Sequence, residues 1–470
     1  MRKGGYREGA GTRKLGSNRP CLYASCCASV TGIMNDFGAS PLPAFLPAAR
    51  PAPRYRRPGY RRHSVRLSWR ILEWCGVAIA LFLVSGAVFP LLLMAQSGSL
   101  GDSERGLLRL LQLPVIAITL VLLGRHLGAL LLAIRRTLPM FTLSMMAFAS
   151  VFWSIAPAIT LRRAIALLVA MLLAYLLAIR FTPRQLLVLF SSVLGTCLGL
   201  SLLAGVIAPQ IAFMPDETGL RGIYTHKNVL GWAACLAFIL ALGLMADAGG
   251  RLFRRGVALL LASIVCLVLS QSSTSLLAAI TGLVLFGFYT LLHRKRGLAR
   301  ALLVLVVLQL AALLLLFLGE FLVPFLESLG KDATLTGRVP LWHLVDGYIA
   351  QRPWQGYGYG AFWSQSNPAK FVIEAALQWV PPHAHNGYRD MLLNFGIPGL
   401  LLLVVTIVRA IRRGGVLLCA QPEAGWAWMN VSIGVMVVLN LSESNFLAQN
   451  DIQSLMMMTV VAMFGLRAPR

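Results

Sequence analysis

The segment His383-Ala-His385-Asn386 places ionisable side chains directly before a long apolar stretch that begins near residue 390. His385 therefore lies about one helical turn outside that stretch. A neutral imidazole, with an ordinary pKa of about 6.5, suits a general base. We interpret His385 as a candidate catalytic base; the alternative is an interfacial histidine solvated by water.

Arg338 stands two residues before Pro340, and proline favours the first turn of a helix. The predicted helix runs to Pro353 and carries Trp342, Val345 and Ile349 on one face. An arginine at a helix N-terminus can bind an anion together with the free backbone N–H groups. The alternative is a surface ion pair of Arg338 with Asp332 or Asp346.

Further cations occur where apolar helices start or end. Arg221, His226 and Lys227 precede an apolar helix that begins near residue 228, and Arg162-Arg163 lie at the end of another. Cations kept at such positions indicate an anionic ligand. The alternative for the arginine pair is contact with lipid phosphates.

The polar run from Asn440 to Gln453, which contains Glu443 and Asp451, can line a polar cavity.

No metal site is predicted. His383 and His385 have no carboxylate or cysteine at a metal-ligand spacing. The 8 cysteines show no paired spacing, so we expect neither a disulfide framework nor zinc.

These residues belong to a chain whose composition is typical of a membrane protein. Of its 470 residues 57% are apolar and 13% charged, whereas soluble domains are about 45–50% apolar and about 25% charged. The composition excludes a soluble enzyme. We predict an all-α polytopic integral membrane protein with about 12 transmembrane helices. The predicted spans are 74–96, 107–124, 138–153, 161–179, 185–208, 228–247, 257–270, 275–292, 300–319, 390–409, 425–441 and 452–466.

The net charge of +25 follows from topology. With the N-terminus inside, 31 of the 42 Lys and Arg residues lie on the inner side, as the positive-inside rule requires. This distribution explains the basic composition without nucleic acid. It predicts cytoplasmic N- and C-termini, and it places the long loop before residue 390 on the outer side.

The chain divides into four predicted regions. Residues 1–73 form a basic, disordered cytoplasmic tail, with Met34 as an alternative start site. Residues 74–319 contain the first nine helices, residues 320–389 form a large outer loop, and residues 390–466 contain the last three helices. Loops of such length are usually functional, and this one contains three of the 7 histidines.

The motifs together resemble the O-antigen ligase and Wzy-type polysaccharide polymerase superfamily. The most specific motif is His385-Asn386 followed at a fixed spacing by Gly396 and Gly399. Gly337-Arg338 with Leu341-Trp342 supports it, as do the Gly356–Gly360 run and Trp153-Ser154. The resemblance covers roughly residues 74–466.

The resemblance implies a GT-C-like helical bundle in the inner membrane with a large periplasmic loop. It implies a metal-independent, inverting glycosyltransferase that uses undecaprenyl-diphosphate-linked oligosaccharide and no cofactor. His385 would be the essential histidine, and Arg338 the arginine of the large loop. Ligases often have three residues between this arginine and a leucine, whereas only two separate Arg338 from Leu341 here. This departure favours a polymerase, similar to exopolysaccharide polymerases.

The reaction develops negative charge on the departing diphosphate, so the site needs fixed cations. We expect the candidate substrate-binding residues to be Arg221, Lys227, His226, Arg162, Arg163 and Asn386. Expected partners are the acceptor glycan, membrane lipids and a chain-length regulator. Two alternatives stay open: an O-antigen ligase that transfers lipid-linked glycan to the lipid A core, and a lipid-linked oligosaccharide flippase or transporter.

Overall fold

The computed structural model describes residues 63–89, 91–92, 110–215, 219–246, 250–307, 309 and 338–469. Most of the predicted N-terminal tail and residues 320–337 of the predicted outer loop lie outside the described residues. Within the described ranges the chain is α-helical, and its one isolated β-bridge joins Phe213 to Leu220.

The described helices are numbered here in chain order. They are α1 His63–Val84, α2 Gln112–Leu123, α3 Leu127–Arg136, α4 Leu138–Ala149, α5 Pro157–Arg180, α6 Pro183–Ile207, α7 Lys227–Ala246, α8 Gly250–Ser270, α9 Ser273–Arg294, α10 Leu298–Val307, α11 Arg338–Gln351, α12 Pro368–Leu377, α13 Gly387–Ala420, α14 Trp426–Leu439 and α15 Ile452–Arg467. A single helical turn, Pro209–Ala212, precedes the loop that leads to α7.

The prediction of an all-α polytopic membrane protein is confirmed. Among the described residues, 7 helical stretches are long and apolar enough to cross a bilayer. Four shorter apolar helices, α4, α10, α14 and α15, accompany them. Helices suit this solvent because they satisfy their own backbone hydrogen bonds.

Two predicted boundaries were wrong. Residues Leu127 to Ile134 were predicted as a loop, but they lie in α3, which continues α2 through a 3-10 turn at Gly124–His126. The polar residues of that turn interrupt the hydropathy without ending the helix. The first helix begins at His63 and ends at Val84, both earlier than predicted, and its Glu73 pairs with Arg180 of α5 at 2.6 Å.

Helix α15 lies at the centre of the bundle. Every residue from Ile452 to Gly465 is buried, as expected of a helix that is apolar all round. It packs against α5 and α13, and α13 also contacts α4 and α14. Helix α13 is therefore held on several sides along its length.

The described part of the predicted outer loop has a core of its own. Helix α11 begins at Arg338 and ends at Gln351, which confirms the predicted helix. Its Leu341 and Val345 are buried against Phe362 and against Ile373 of α12. This core supports both segments that carry the candidate catalytic residues.

Candidate active site

Asn386 fixes the start of α13. Its side-chain oxygen accepts hydrogen bonds from the backbone N–H groups of Tyr388 (3.1 Å) and Arg389 (3.0 Å), so it caps the helix N-terminus. Its side-chain nitrogen donates to the Leu441 carbonyl (3.0 Å), and its backbone N–H donates to the Ser444 hydroxyl (3.1 Å). Asn386 thereby ties the segment before α13 to the turn between α14 and α15.

Gly396 bends α13 about two turns further on. Its φ of +66° lies in the left-handed region, where glycine carries no Cβ penalty. A Cβ at this position would collide with the backbone of Pro353 and Trp354. Ile397 also donates a backbone hydrogen bond to the Pro353 carbonyl (2.7 Å). Gly396 therefore allows α13 to pack closely against the backbone that follows α11.

Glu443 joins the two candidate catalytic residues. The Arg338 Nη2 donates to Glu443 Oε1 at 2.9 Å, and His385 Nδ1 lies 3.4 Å from Glu443 Oε2. Arg338 Nη1 also donates to the Ser442 carbonyl at 2.6 Å. The Glu443 side chain is fully buried, whereas those of Arg338 and His385 are partly exposed. One buried carboxylate therefore contacts both a guanidinium and an imidazole, and each of these two side chains is still partly exposed.

The structure gives Arg338 a partner that its sequence neighbourhood did not offer. Of the two carboxylates in the surface ion-pair alternative, Asp332 lies outside the described residues, and Asp346 pairs with Arg389 through two contacts of 2.8 and 2.9 Å. Arg338 pairs with Glu443, which is 105 positions away along the chain.

His385 adopts an uncommon backbone conformation. Its φ of +48° lies in the left-handed region, which only a few per cent of non-glycine residues adopt, although histidine is enriched among them. Such conformations persist only where surrounding contacts hold them, and they cluster at functional sites. Here the contacts are the anchoring of Asn386 on one side and of Ala384 on the other. Ala384 accepts a hydrogen bond from Trp342 Nε1 (2.9 Å) and donates one to Asp390 Oδ2 (3.1 Å).

His383 supports His385 in a neutral form. Its Nδ1 accepts a hydrogen bond from the His385 backbone N–H at 3.2 Å, and the two rings lie 4.2 Å apart between centroids. Burial lowers the pKa of His383 to about 3, with smaller contributions from His385 and Arg338. An Nδ1 that accepts a hydrogen bond carries no proton, which agrees with a neutral ring.

The remaining predicted cations have contacts in other parts of the described structure. Arg163 Nη1 donates to the Gly360 carbonyl at 2.6 Å, and Gly360 in turn donates to the Asn394 side chain of α13. Arg163 thus connects α5 to the Gly356–Gly360 run and to α13. Arg162, its neighbour, is exposed.

Arg221, His226 and Lys227 surround the start of α7. Arg221 Nε donates to the Ile211 carbonyl at 2.9 Å, and burial lowers its pKa. His226 Nδ1 accepts the Asn228 backbone N–H at 3.1 Å. Lys227 opens α7 and its side chain lies beside Gly219. No hydrogen bond between described residues joins Arg221 to Arg338 or His385.

Three described residues form a possible metal-ligand group. One donor atom each of His383, His385 and Glu443 lies within 4.8 Å of the other two. The argument from spacing missed this carboxylate because Glu443 is far away in the chain. The group fits a divalent cation poorly, since Arg338 already contacts Glu443 and its charge would repel a second cation.

Comparison with known proteins agrees with these motifs. Residues 258–404 match the family model described as O-antigen ligase. This part of the chain is therefore similar to O-antigen ligase domains. It is also 30% identical over 287 residues to the exopolysaccharide production protein ExoQ of Rhizobium meliloti (strain 1021). This match covers 57% of the chain and spans 63% of the length of ExoQ.

The superfamily resemblance predicted from the motifs is thereby confirmed. Both Arg338 and His385 lie inside the matched O-antigen ligase-type domain, whereas Glu443 lies beyond its last matched residue. The signal for Glu443 in the sequence was only the polar run between α14 and α15, and nothing in that run distinguished it from Asp451. Their different roles follow from the fold: Asp451 caps α15 through the Ser454 N–H.

Proposed function

We propose that this protein is a membrane glycosyltransferase that polymerises undecaprenyl-diphosphate-linked oligosaccharide repeats into an exopolysaccharide. The observation that carries the proposal is the convergence of His385 and Arg338 on Glu443 at the start of α13. The name of the relative ExoQ, an exopolysaccharide production protein, supports the product class. In this proposal the site faces the periplasm, and both termini of this inner-membrane protein are cytoplasmic.

His385 acts as the general base. The Glu443 carboxylate beside Nδ1 favours the tautomer with its proton on that nitrogen, so Nε2 is free to accept a proton. The acceptor hydroxyl loses its proton to Nε2 as its oxygen attacks the anomeric carbon. The bond between that carbon and the diphosphate oxygen breaks on the opposite face, so the configuration inverts.

Cations stabilise the departing diphosphate. The Arg338 guanidinium has several N–H donors, and only two described hydrogen bonds, to Ser442 and Glu443, engage it. Its remaining N–H groups can bind phosphate oxygens as negative charge develops there. Arg221, Lys227, His226, Arg162 and Arg163 extend the positive field around the lipid-linked donor, and Asn386 positions His385.

Fixed protein groups supply the whole of this mechanism. Proton transfer is assigned to His385 and charge stabilisation to arginine, so the proposed reaction needs no metal or other cofactor. A chain-length regulator is the expected protein partner of such a polymerase, because the proposed chemistry does not by itself set how many repeats are joined.

The second candidate function is that of an O-antigen ligase. The description of the matched domain favours it, and a ligase would use the same donor and the same base. The two functions differ only in the acceptor, which is another lipid-linked glycan for a polymerase and the lipid A core for a ligase.

Deletion of the gene, followed by analysis of surface and lipid-linked glycans, separates these functions. A lost polymerase leaves lipid-linked single repeats, and a lost ligase leaves long lipid-linked chains that never reach lipid A. Unchanged glycans of both kinds would contradict the proposal. Accumulation of single repeats on the cytoplasmic leaflet would instead indicate the flippase alternative.

A further inference from the structure

A second cationic region lies at the end of α13 remote from His385. Arg409 and Arg413 are one turn apart on α13, so they share a face, and both line a cleft formed with α4 and α15. Arg136 and Arg412 lie close enough to repel Arg413 electrostatically. Four guanidinium groups are therefore gathered at the border of the apolar bundle.

The described contacts leave this charge without a counter-ion. Arg413 donates to the Arg136 carbonyl (2.7 Å), and Arg136 donates to the Ala468 carbonyl (3.0 Å), which joins the ends of α3 and α15. Arg409 and Arg412 are exposed. Among the described residues, no ion pair joins any of the four to a carboxylate. Mutual repulsion of this kind favours binding of an anion.

The cationic cleft continues into an apolar one. The second cleft shares Met140, Thr406 and Val461 with the first. It is lined further by Leu143, Leu403, Phe446, Leu447, Ser454, Met457 and Met458. These additional residues are all buried, so this inner cleft is closed to a hydrocarbon tail. Val405 and Val408 lie one turn before Arg409 and Arg412 and are exposed, so this face of α13 offers an apolar surface beside the charges. An apolar surface next to a cationic cluster matches a molecule with an anionic head and a hydrocarbon tail.

We propose that this cationic region binds an anionic phospholipid, with its phosphate on Arg409 and the neighbouring Arg412 and Arg413, and with its acyl chains along the exposed apolar face of α13. Basic pockets between transmembrane helices on the cytoplasmic side are typical sites for such headgroups. The lipid-linked donor does not fit this orientation, because its diphosphate belongs at the other end of α13. Arg409 is 22 residues beyond Gly387, which corresponds to about 30 Å along a helix.

Lipid titration of the purified full-length protein tests the proposal. Dioleoyl phosphatidylglycerol, dioleoyl phosphatidylcholine and inorganic phosphate are compared by thermal shift and native mass spectrometry. We expect phosphatidylglycerol to bind and stabilise the protein, and the other two to have little effect. Equal stabilisation by phosphatidylcholine would overturn the charge-based site, and equal stabilisation by inorganic phosphate would overturn the lipid assignment.

The double variant Arg409→Gln/Arg412→Gln removes two exposed charges and leaves the contacts of Arg413 and Arg136 in place. We expect phosphatidylglycerol to bind about 30-fold more weakly. Arg254→Gln/Arg255→Gln, two exposed arginines on α8, is the control with the same change in charge, and it should bind as the wild type does. Equal weakening in both double variants would contradict a site on α13.

Competition between polyprenyl phosphate and phosphatidylglycerol for these arginines would overturn the proposal, because the site would then belong to the lipid-linked donor.

Discussion

His385 and Arg338 contact different oxygens of one buried carboxylate. Glu443 lies 3.4 Å from the His385 Nδ1 and 2.9 Å from the Arg338 Nη2. Because both residues contact the same carboxylate, a substitution of His385 is expected to affect the position of the Arg338 side chain, and a substitution of Arg338 that of His385.

Replacement of His385 by alanine is expected to reduce turnover by about 10²- to 10⁴-fold, because the acceptor hydroxyl loses its base. The measurement is glycan synthesis in membranes supplied with defined lipid-linked repeats. His343→Ala changes an exposed histidine on α11 and serves as the control, with activity near that of the wild type. Normal turnover in a correctly folded His385→Ala protein would refute the base assignment.

The variant Glu443→Gln is expected to lower kcat by about 10- to 100-fold with a smaller effect on KM, because an amide no longer orients His385 and Arg338 as a carboxylate does. Its pH–rate profile should also shift. The control Glu374→Gln removes the carboxylate that pairs with Lys370 on α12, and it should change neither kcat nor the pH–rate profile. An unchanged pH profile for Glu443→Gln would show that the carboxylate serves folding alone.

The variant Arg338→Lys is expected to lose activity by about 100-fold, although it keeps the positive charge. Lysine is a point charge and cannot contact Ser442, Glu443 and a phosphate in one plane. Arg352→Lys, in the same outer region, is the control; its guanidinium lies over the Tyr357 ring. Wild-type activity of Arg338→Lys would exclude a role for the planar guanidinium.

Removal of divalent cations with a chelator is expected to leave activity unchanged, because Arg338 opposes a cation at the group formed by His383, His385 and Glu443. The measurement is turnover before and after chelation, with metal content determined on the same sample. Loss of activity that Mg²⁺, Mn²⁺ or Zn²⁺ restores would reveal a metal enzyme.

His383 is expected to reduce stability as the pH is lowered from about 6.5, because its partly buried ring is neutral in the folded protein. Its folded pKa of about 3 lies below the unfolded value of 6.5, so its contribution is complete above pH 6.5 and is lost on acidification. Burial raises the pKa of Asp451 to about 6, which has the opposite effect on stability.

The comparison with His383→Gln therefore isolates the histidine. On going from pH 7 to pH 5, the melting temperature of this variant should fall less than that of the wild type, or rise, because only the opposing effect of Asp451 is left. An identical pH dependence in both proteins would show that His383 does not titrate on unfolding in this range.

The sequence by itself determined the class of protein and the two candidate catalytic residues, Arg338 and His385. Hydrophobic runs must become helices in a bilayer, so the polytopic fold followed from composition. Local rules placed Arg338 at the start of α11, because proline and helical periodicity act over a few residues. The motif spacing around His385 was likewise sufficient to reveal the resemblance to O-antigen ligases that the family model also finds.

Only the tertiary structure showed which residue connects Arg338 to His385. Glu443 meets His385 and Arg338 because α14 and α15 pack beside α13, and such a long-range contact leaves no periodic signal in a single chain. For the same reason, spacing alone did not suggest Glu443 as a partner of Arg338 and missed the group of possible metal ligands formed by His383, His385 and Glu443. Helix continuity through Gly124–His126 also depended on packing, because local polarity there resembles that of a loop.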